Sequence, residues 1–153
     1  MIVLTKSQIK EIADHLDCGL KCYYNKKTDE IVAILDFDQN PGADEEVWQD
    51  LINEVENHFE DYFLFEQMSS SEGYQVMIEF VNEIEDESLR ERLVLALEKK
   101  HPFRNFKDEI DFNGDYREMW FKFKSDKYIE YVKKQILEYN QLEALNLDQK
   151  GQA

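Results

Sequence analysis

The spacing of apolar residues changes character partway along the chain, and that change constrains the fold more than any single motif. Early on, apolar residues fall in short extended runs. Residues 21–24 and 31–37 are two such runs, and the polar Asn25-Lys26-Lys27-Thr28-Asp29-Glu30 between them reads as a hairpin loop. Ile31-Val32-Ala33-Ile34-Leu35 is apolar without interruption, which predicts a strand covered on both faces. Tyr62-Phe63-Leu64-Phe65 predicts a third strand. Elsewhere apolar residues recur at three- and four-residue steps, the period of a helix with one buried face. Thr5 or Ser7 can cap a first helix built on Ile9, Ile12 and Leu16, with Gly19 as its breaker. Asp44 can cap a helix over 44–59 whose stripe is Val47, Trp48, Leu51, Ile52, Val55 and Phe59. Ser69 with Glu72, and Ser88 with Glu91, have the form of capping boxes and open two more helices. Pro102 suits the first turn of a helix over 103–110, Asn113-Gly114 ends it, and a long helix follows from 115 to about 139.

Strands early and helices late predict an α+β fold: a small antiparallel three-stranded sheet packed with about six helices, helices dominating the C-terminal half. The length of 153 residues suits one domain, which would bury roughly 70% of its unfolded surface. Residues 1–140 are assigned to that domain and 141–153 to a polar C-terminal tail.

Charge narrows the choice of partner. With 18 basic and 34 acidic residues the net charge is −16, which disfavours bare nucleic acid and anionic membranes and suits a basic partner or a cation, although a simply solvated acidic surface accounts for it more readily. Residues 1–76 hold five basic and 17 acidic side chains, whereas 99–134 hold ten basic and seven acidic, a locally basic island. Cys18 and Cys22 have C-x-x-x-C spacing, neither a redox pair nor half of a zinc site, and read as reduced and partly buried. Nothing resembles a secretory leader or a membrane span, so the expected location is cytoplasmic. Oligomeric state is left open.

The basic island is also the most aromatic stretch. Residues 101–124 hold Phe103, Phe106, Phe112, Tyr116, Trp120, Phe121 and Phe123 among Arg104, Lys107, Arg117, Lys122 and Lys124. Two readings compete. Phe103, Arg104, Phe106, Lys107 and Trp120 could form an interaction face, since rings fill partner pockets and cations meet carboxylates or phosphates. Alternatively Phe103, Phe106, Trp120 and Phe123, spaced three apart in pairs, fill the core while Arg104 and Lys107 pair with acids of the first half. The spacing favours the core reading.

The segment Glu85-Asp86-Glu87-Ser88-Leu89-Arg90-Glu91-Arg92-Leu93, followed by Ala96-Leu97-Glu98, Pro102-Phe103-Arg104-Asn105-Phe106-Lys107-Asp108 and Trp120-Phe121-Lys122-Phe123, resembles the bacterial Uncharacterised Protein Family 0158. Tyr23-Tyr24 and Glu30 are similar to that family's hairpin. The resemblance implies a bacterial, cytoplasmic α+β protein and brings no catalytic residues with it.

No motif carries strong chemistry. Asp36-x-Asp38-x-Asn40 begins like a calcium loop, but Pro41 stands where glycine is required and Val47 where the bidentate glutamate should be. Asp36, Asp38, Asp44, Glu45 and Glu46 are carried as oxygen donors for a weak divalent site. His15, His58 and His101 lack metal-ligand spacing. There is no phosphate-binding glycine loop and no nucleophile elbow. No catalytic residue, metal ligand or cofactor is therefore assigned.

The leading expectation is a non-enzymatic interaction module whose acidic residues, notably Asp44, Glu45, Glu46, Asp50, Glu54 and Glu56, meet a basic protein. One alternative is a metal-dependent hydrolase using Asp36, Asp38 and Glu66. Another is RNA binding through Arg104, Lys107, Lys122 and Lys124.

Overall fold

A computed structural model describes residues 1–151, which form two compact units. The first is Met1–Gln67 together with the chain from Tyr128 onward, and the second is Met68–Lys127. The elements run α1 (Lys6–Asp17), β1 (Leu20–Asn25), β2 (Ile31–Leu35), a 3-10 turn (Glu45–Trp48), α2 (Gln49–Asn57), a second 3-10 turn (Phe59–Asp61), β3 (Tyr62–Phe65), α3 (Ser70–Glu83), α4 (Glu87–Glu98), α5 (Pro102–Asp111) and α6 (Gly114–Gly151). The described chain is α+β, with a three-stranded antiparallel sheet and a helix-rich C-terminal half.

In the first unit the strand order is β2-β1-β3, so the first strand is central. Cys22 lies across from Ala33 on one side and Phe65 on the other, and Tyr24 across from Ile31 and Phe63. Side chains on a strand alternate between faces. Cys22, Tyr24, Ile31, Phe63 and Phe65 therefore share one face, which packs on Ile12 and Leu16 of α1 and on Tyr128, Val132 and Ile136 of α6. Tyr23, Val32, Ile34 and Tyr62 share the opposite face and pack under Trp48, Ile52 and Val55. The continuously apolar β2 follows from this arrangement, since α1 and α6 lie against one face of the sheet and α2 against the other.

Hydrogen bonds close the hairpin. The Asn25 carboxamide accepts from the Lys27 and Thr28 amides at 2.9 and 3.1 Å, the local bonding that favours asparagine in turns. Asp29 adopts a left-handed φ of 67°, and its carboxylate accepts the Tyr24 hydroxyl at 2.5 Å. The chain start is also held: Asn140 of α6 accepts from the Ile2 amide at 2.7 Å and donates to the Ile2 carbonyl at 2.9 Å. The long helix was expected to end near 139. It continues through 141–151, the stretch read as a polar tail, while 152–153 lie outside the described residues.

The second unit is helical. Val76, Met77, Phe80 and Val81 of α3, Leu89, Leu93 and Leu97 of α4, Phe106 and Ile110 of α5, and Trp120 of α6 make one core. Ser69 and Glu72 form the expected capping box at α3. At α4 the cap is Asp86, whose side chain accepts from the Leu89 amide at 3.1 Å, so Ser88 is already inside the helix. Aspartate outcompetes serine because its charge also favours the positive end of the helix dipole. The Asn105 carboxamide donates to the Ala96 carbonyl in the last turn of α4 at 3.2 Å and to the Lys100 carbonyl just beyond the helix at 2.7 Å.

The two cysteines part company. Cys22 is fully buried, and burial, with a smaller contribution from Glu11, pushes its thiol up to about 12, whereas Cys18 is exposed. A thiol reagent at neutral pH is expected to modify Cys18 in the native protein and Cys22 only after unfolding, because the thiolate is the reactive form. Mass mapping of the modified peptides reads this out; modification of both at one rate in the folded protein would refute it. Burial and the Asp29 carboxylate likewise raise the Tyr24 hydroxyl from 10.0 to about 12. A raised acid favours the folded state below its unfolded value, so this contribution is expected to hold below about pH 10 and to fade as pH climbs through about 12. In an ultraviolet titration of the folded protein, Tyr24→Phe should remove a phenol that ionises near pH 12.

Candidate functional site

Two surfaces carry the residues singled out from sequence, one in each unit. In the first unit, Asp44 caps the 3-10 turn by accepting from the Glu46 amide at 2.9 Å. Glu45 and Glu46 occupy the turn and Asp50 the first turn of α2, where a carboxylate is favoured by the unpaired amides. Trp48, Ile52 and Val55 turn inward onto Ile34 and Tyr62. What remains outward is Asp44, Glu45, Glu46, Asp50, Glu54 and Glu56, all exposed. Among the described residues only Glu54 of these six has an ion-pair partner, the His58 imidazole at 3.2 Å.

Val47, Leu51 and Phe59 were expected to face the core with Trp48 and Val55. They do not: Val47 is 75% and Phe59 72% exposed, and Leu51 lies at the rim. The 3-10 turn is the reason. It advances about 120° per residue rather than the 100° of an α-helix, so Val47 rotates out of the stripe. The helix then ends at Asn57, which leaves Phe59 in a separate turn. The acids are thus interleaved with exposed apolar side chains.

Between α2 and the sheet lies a cavity of about 200 Å³ lined by Tyr23, Ile34, Leu35 and Phe37, with Lys21 and Glu56 as its charged residues. The proposed hydrolase carboxylates do not gather there or elsewhere. Asp36 is buried and accepts from the Asp38 amide at 3.1 Å, while Asp38 is exposed in the following turn. Glu66 follows β3, on the opposite edge of the sheet, two strand spacings or roughly 10 Å across. Among the described residues no group of three or more histidine, cysteine, aspartate or glutamate side chains is placed to hold a metal ion. The suggested divalent donors Asp44, Glu45 and Glu46 form no such group either.

In the second unit the structure separates the rings from the cations. Phe106 is 1% and Trp120 8% exposed. Their rings are 4.8 Å apart and meet Phe80 at 6.4 and 5.2 Å, with Phe123 5.4 Å from Phe80. Tilted and edge-to-face ring pairs of this kind contribute beyond their buried area. Phe103, grouped with the core from its spacing, is 45% exposed and lies against Gly73 of α3. Phe112 is 89% exposed. Arg104 and Lys107 are exposed and form no ion pair among the described residues, contrary to the expected pairing with acids. Lys122 is paired with Asp126 at 2.9 Å, and Lys124 lies over the Trp120 and Phe121 rings at 5.8 and 6.0 Å. The four cations of the RNA reading are therefore not four equivalent free charges on one surface.

Sequence periodicity missed the exposed Val47 and Phe59, because no local signal distinguishes a 3-10 turn from a turn of α-helix at either end of α2. It also missed the sheet order, which decides which strand is left at an edge.

Among the described residues no helix is long and apolar enough to cross a membrane. A family model described as Uncharacterised protein family (UPF0158) matches residues 1–151. No curated protein and no solved structure matches the chain.

The ring cluster is expected to act on stability and Phe103 on little else within the unit. Trp120→Ala should cost about 3–5 kcal/mol in denaturant unfolding, the range for truncating a buried aromatic, and Phe103→Ala under about 1 kcal/mol. Equal losses would contradict the assignment of Trp120 to the core.

Proposed function

The chain belongs to the uncharacterised family UPF0158, and from that premise we propose that it is a cytoplasmic bacterial protein acting as a non-enzymatic protein-interaction module for a basic partner. The observation that supports this most is the run of Asp44, Glu45, Glu46, Asp50, Glu54 and Glu56, exposed on one short segment and, Glu54 apart, without ion pairs among the described residues. Unpaired carboxylates on a chain of net charge −16 attract a cationic surface at long range and speed its encounter. The exposed Val47 and Leu51 between them supply the apolar contact that charge alone lacks. In this reading residues 1–140 act as one α+β domain, with 141–153 as its polar C-terminal tail.

Phe103, Arg104 and Lys107 are a secondary contact surface in this reading, while Phe106 and Trp120 support it from the core. The protein's overall charge weighs against nucleic acid as the ligand.

The triple variant Glu46→Lys, Asp50→Lys, Glu54→Lys changes only exposed side chains; losing the Asp50 carboxylate at the start of α2 and the Glu54–His58 pair should cost no more than about 1–2 kcal/mol, so the fold should be kept. Affinity capture at low and high salt compares the two. A partner retained by the parent at low salt, released at high salt and lost by the variant is the expected result. A partner held equally by both proteins at both salt levels would sink the electrostatic reading.

A further inference from the structure

The two edges of the sheet are finished differently. Hydrogen bonds from Lys26 to Asp61 and from Asn25 to Glu30 set the phase of the two ladders. Bonded pairs alternate along an antiparallel ladder. On the β3 side, Tyr24 with Phe63 and Cys22 with Phe65 are bonded pairs, which turns the backbone of Tyr62, Leu64 and Glu66 outward. That edge is closed at its end by α6. Gln135 accepts from the Glu66 amide at 2.7 Å and donates to its carbonyl at 3.0 Å, and Tyr131 donates to the Gln67 carbonyl at 3.3 Å.

On the β2 side, Tyr23 with Val32 and Lys21 with Ile34 are the bonded pairs. The amides and carbonyls of Ile31, Ala33 and Leu35 therefore point away from β1, and none has a hydrogen-bond partner among the described residues. The strand is Ile-Val-Ala-Ile-Leu, with no charge and no proline. Natural sheets use such features to discourage an added strand at an exposed edge.

Charge is divided the same way. The two lysines of the hairpin turn reach toward the β3 side: Lys27 pairs with Asp61 at 3.2 Å and Lys26 meets the Tyr139 hydroxyl at 3.5 Å. At the ends of the β2 edge the exposed charges not engaged by a neighbouring side chain are acidic, Glu30 before it and Asp38 after it; Asp29 is engaged by the Tyr24 hydroxyl and Asp36 is buried.

We propose that the β2 edge is a strand-addition site that takes an extended, basic segment of a partner protein, an apolar stretch flanked at both ends by lysine or arginine. The inference rests on the reading of this protein as a module for a basic partner, but it places the contact on backbone groups rather than on α2. Main-chain hydrogen bonds to Ile31, Ala33 and Leu35 supply affinity, and the flanking acids select the sequence. A second copy of this chain fits less well. Two β2 strands paired antiparallel about Ala33 would set Glu30 of each copy opposite Asp36 of the other, with Asp29 and Asp38 close by, and like charges facing across strands are destabilising.

The probe is a capped peptide, Lys-Val-Thr-Ile-Thr-Val-Lys, with a control in which both lysines are glutamates. Residue-resolved amide exchange on the whole protein is the readout. The lysine peptide should slow exchange at Ile31, Ala33 and Leu35 by about tenfold or more at saturation, equivalent to about 1.4 kcal/mol of added protection. The glutamate peptide should not. Ala33→Pro removes the central outward amide without touching the β1 ladder and should abolish binding. Should that variant fold poorly, Glu30→Lys with Asp38→Lys offers an independent check, since it should invert the preference between the two peptides. Protection confined to α2 or elsewhere, equal binding of both peptides, or self-association that protects the same three amides without peptide would each overturn the proposal. Edge protection that persists while charge reversal on α2 leaves partner capture unchanged would instead defeat the α2 reading alone.

Discussion

The first unit depends on the two-sided pairing of β1. Tyr23 and Lys21 bond toward β2 while Tyr24 and Cys22 bond toward β3, so every position of the central strand has a ladder partner. That double engagement fixes which residues face α1 and α6 and which face α2, because a slip of one residue would move every side chain to the other face. It also explains the depth of Cys22 and Tyr24. Burial under a helix raises the Cys22 thiol, and burial together with the Asp29 carboxylate raises the Tyr24 hydroxyl.

The second unit is held by a different device, contact among large rings. Phe80 of α3 touches Phe106 of α5 and Trp120 and Phe123 of α6, so the cluster draws its rings from three helices. A mixture of rings and cations in one stretch of sequence looks like a binding face. The helix separates the mixture by angle: Phe106 and Trp120 turn inward, and Arg104 and Lys107 turn out. The outward cations are the functional remainder of that stretch, and the rings are its support.

Much of the fold was legible from local pattern. The period of apolar residues predicted the hairpin, the third strand and the helices, and the Thr5, Asp44 and Ser69 caps are used as their residue types suggest. The misses share a cause. Val47 and Phe59 fit an α-helical stripe but sit in 3-10 turns, and Phe103 fits the spacing of Phe106 but stands at the first turn of α5, where burial tapers. Ser88 lost its cap to Asp86 two residues earlier. In each case the period was right and the phase or boundary was decided by neighbours.

The sequence alone determined the α+β class, the net charge of −16 and the membership of the acidic segment 44–56, because these follow from composition and from apolar spacing along the chain. Only the tertiary structure decided that β1 is central, that α6 plugs one edge of the sheet through Gln135 and Tyr131, and that β2 is left with outward amides. The reason is physical. Helix and strand propensities are local, whereas strand order and edge exposure depend on pairings between segments as far apart as Glu66 and Gln135, and no short-range pattern records them.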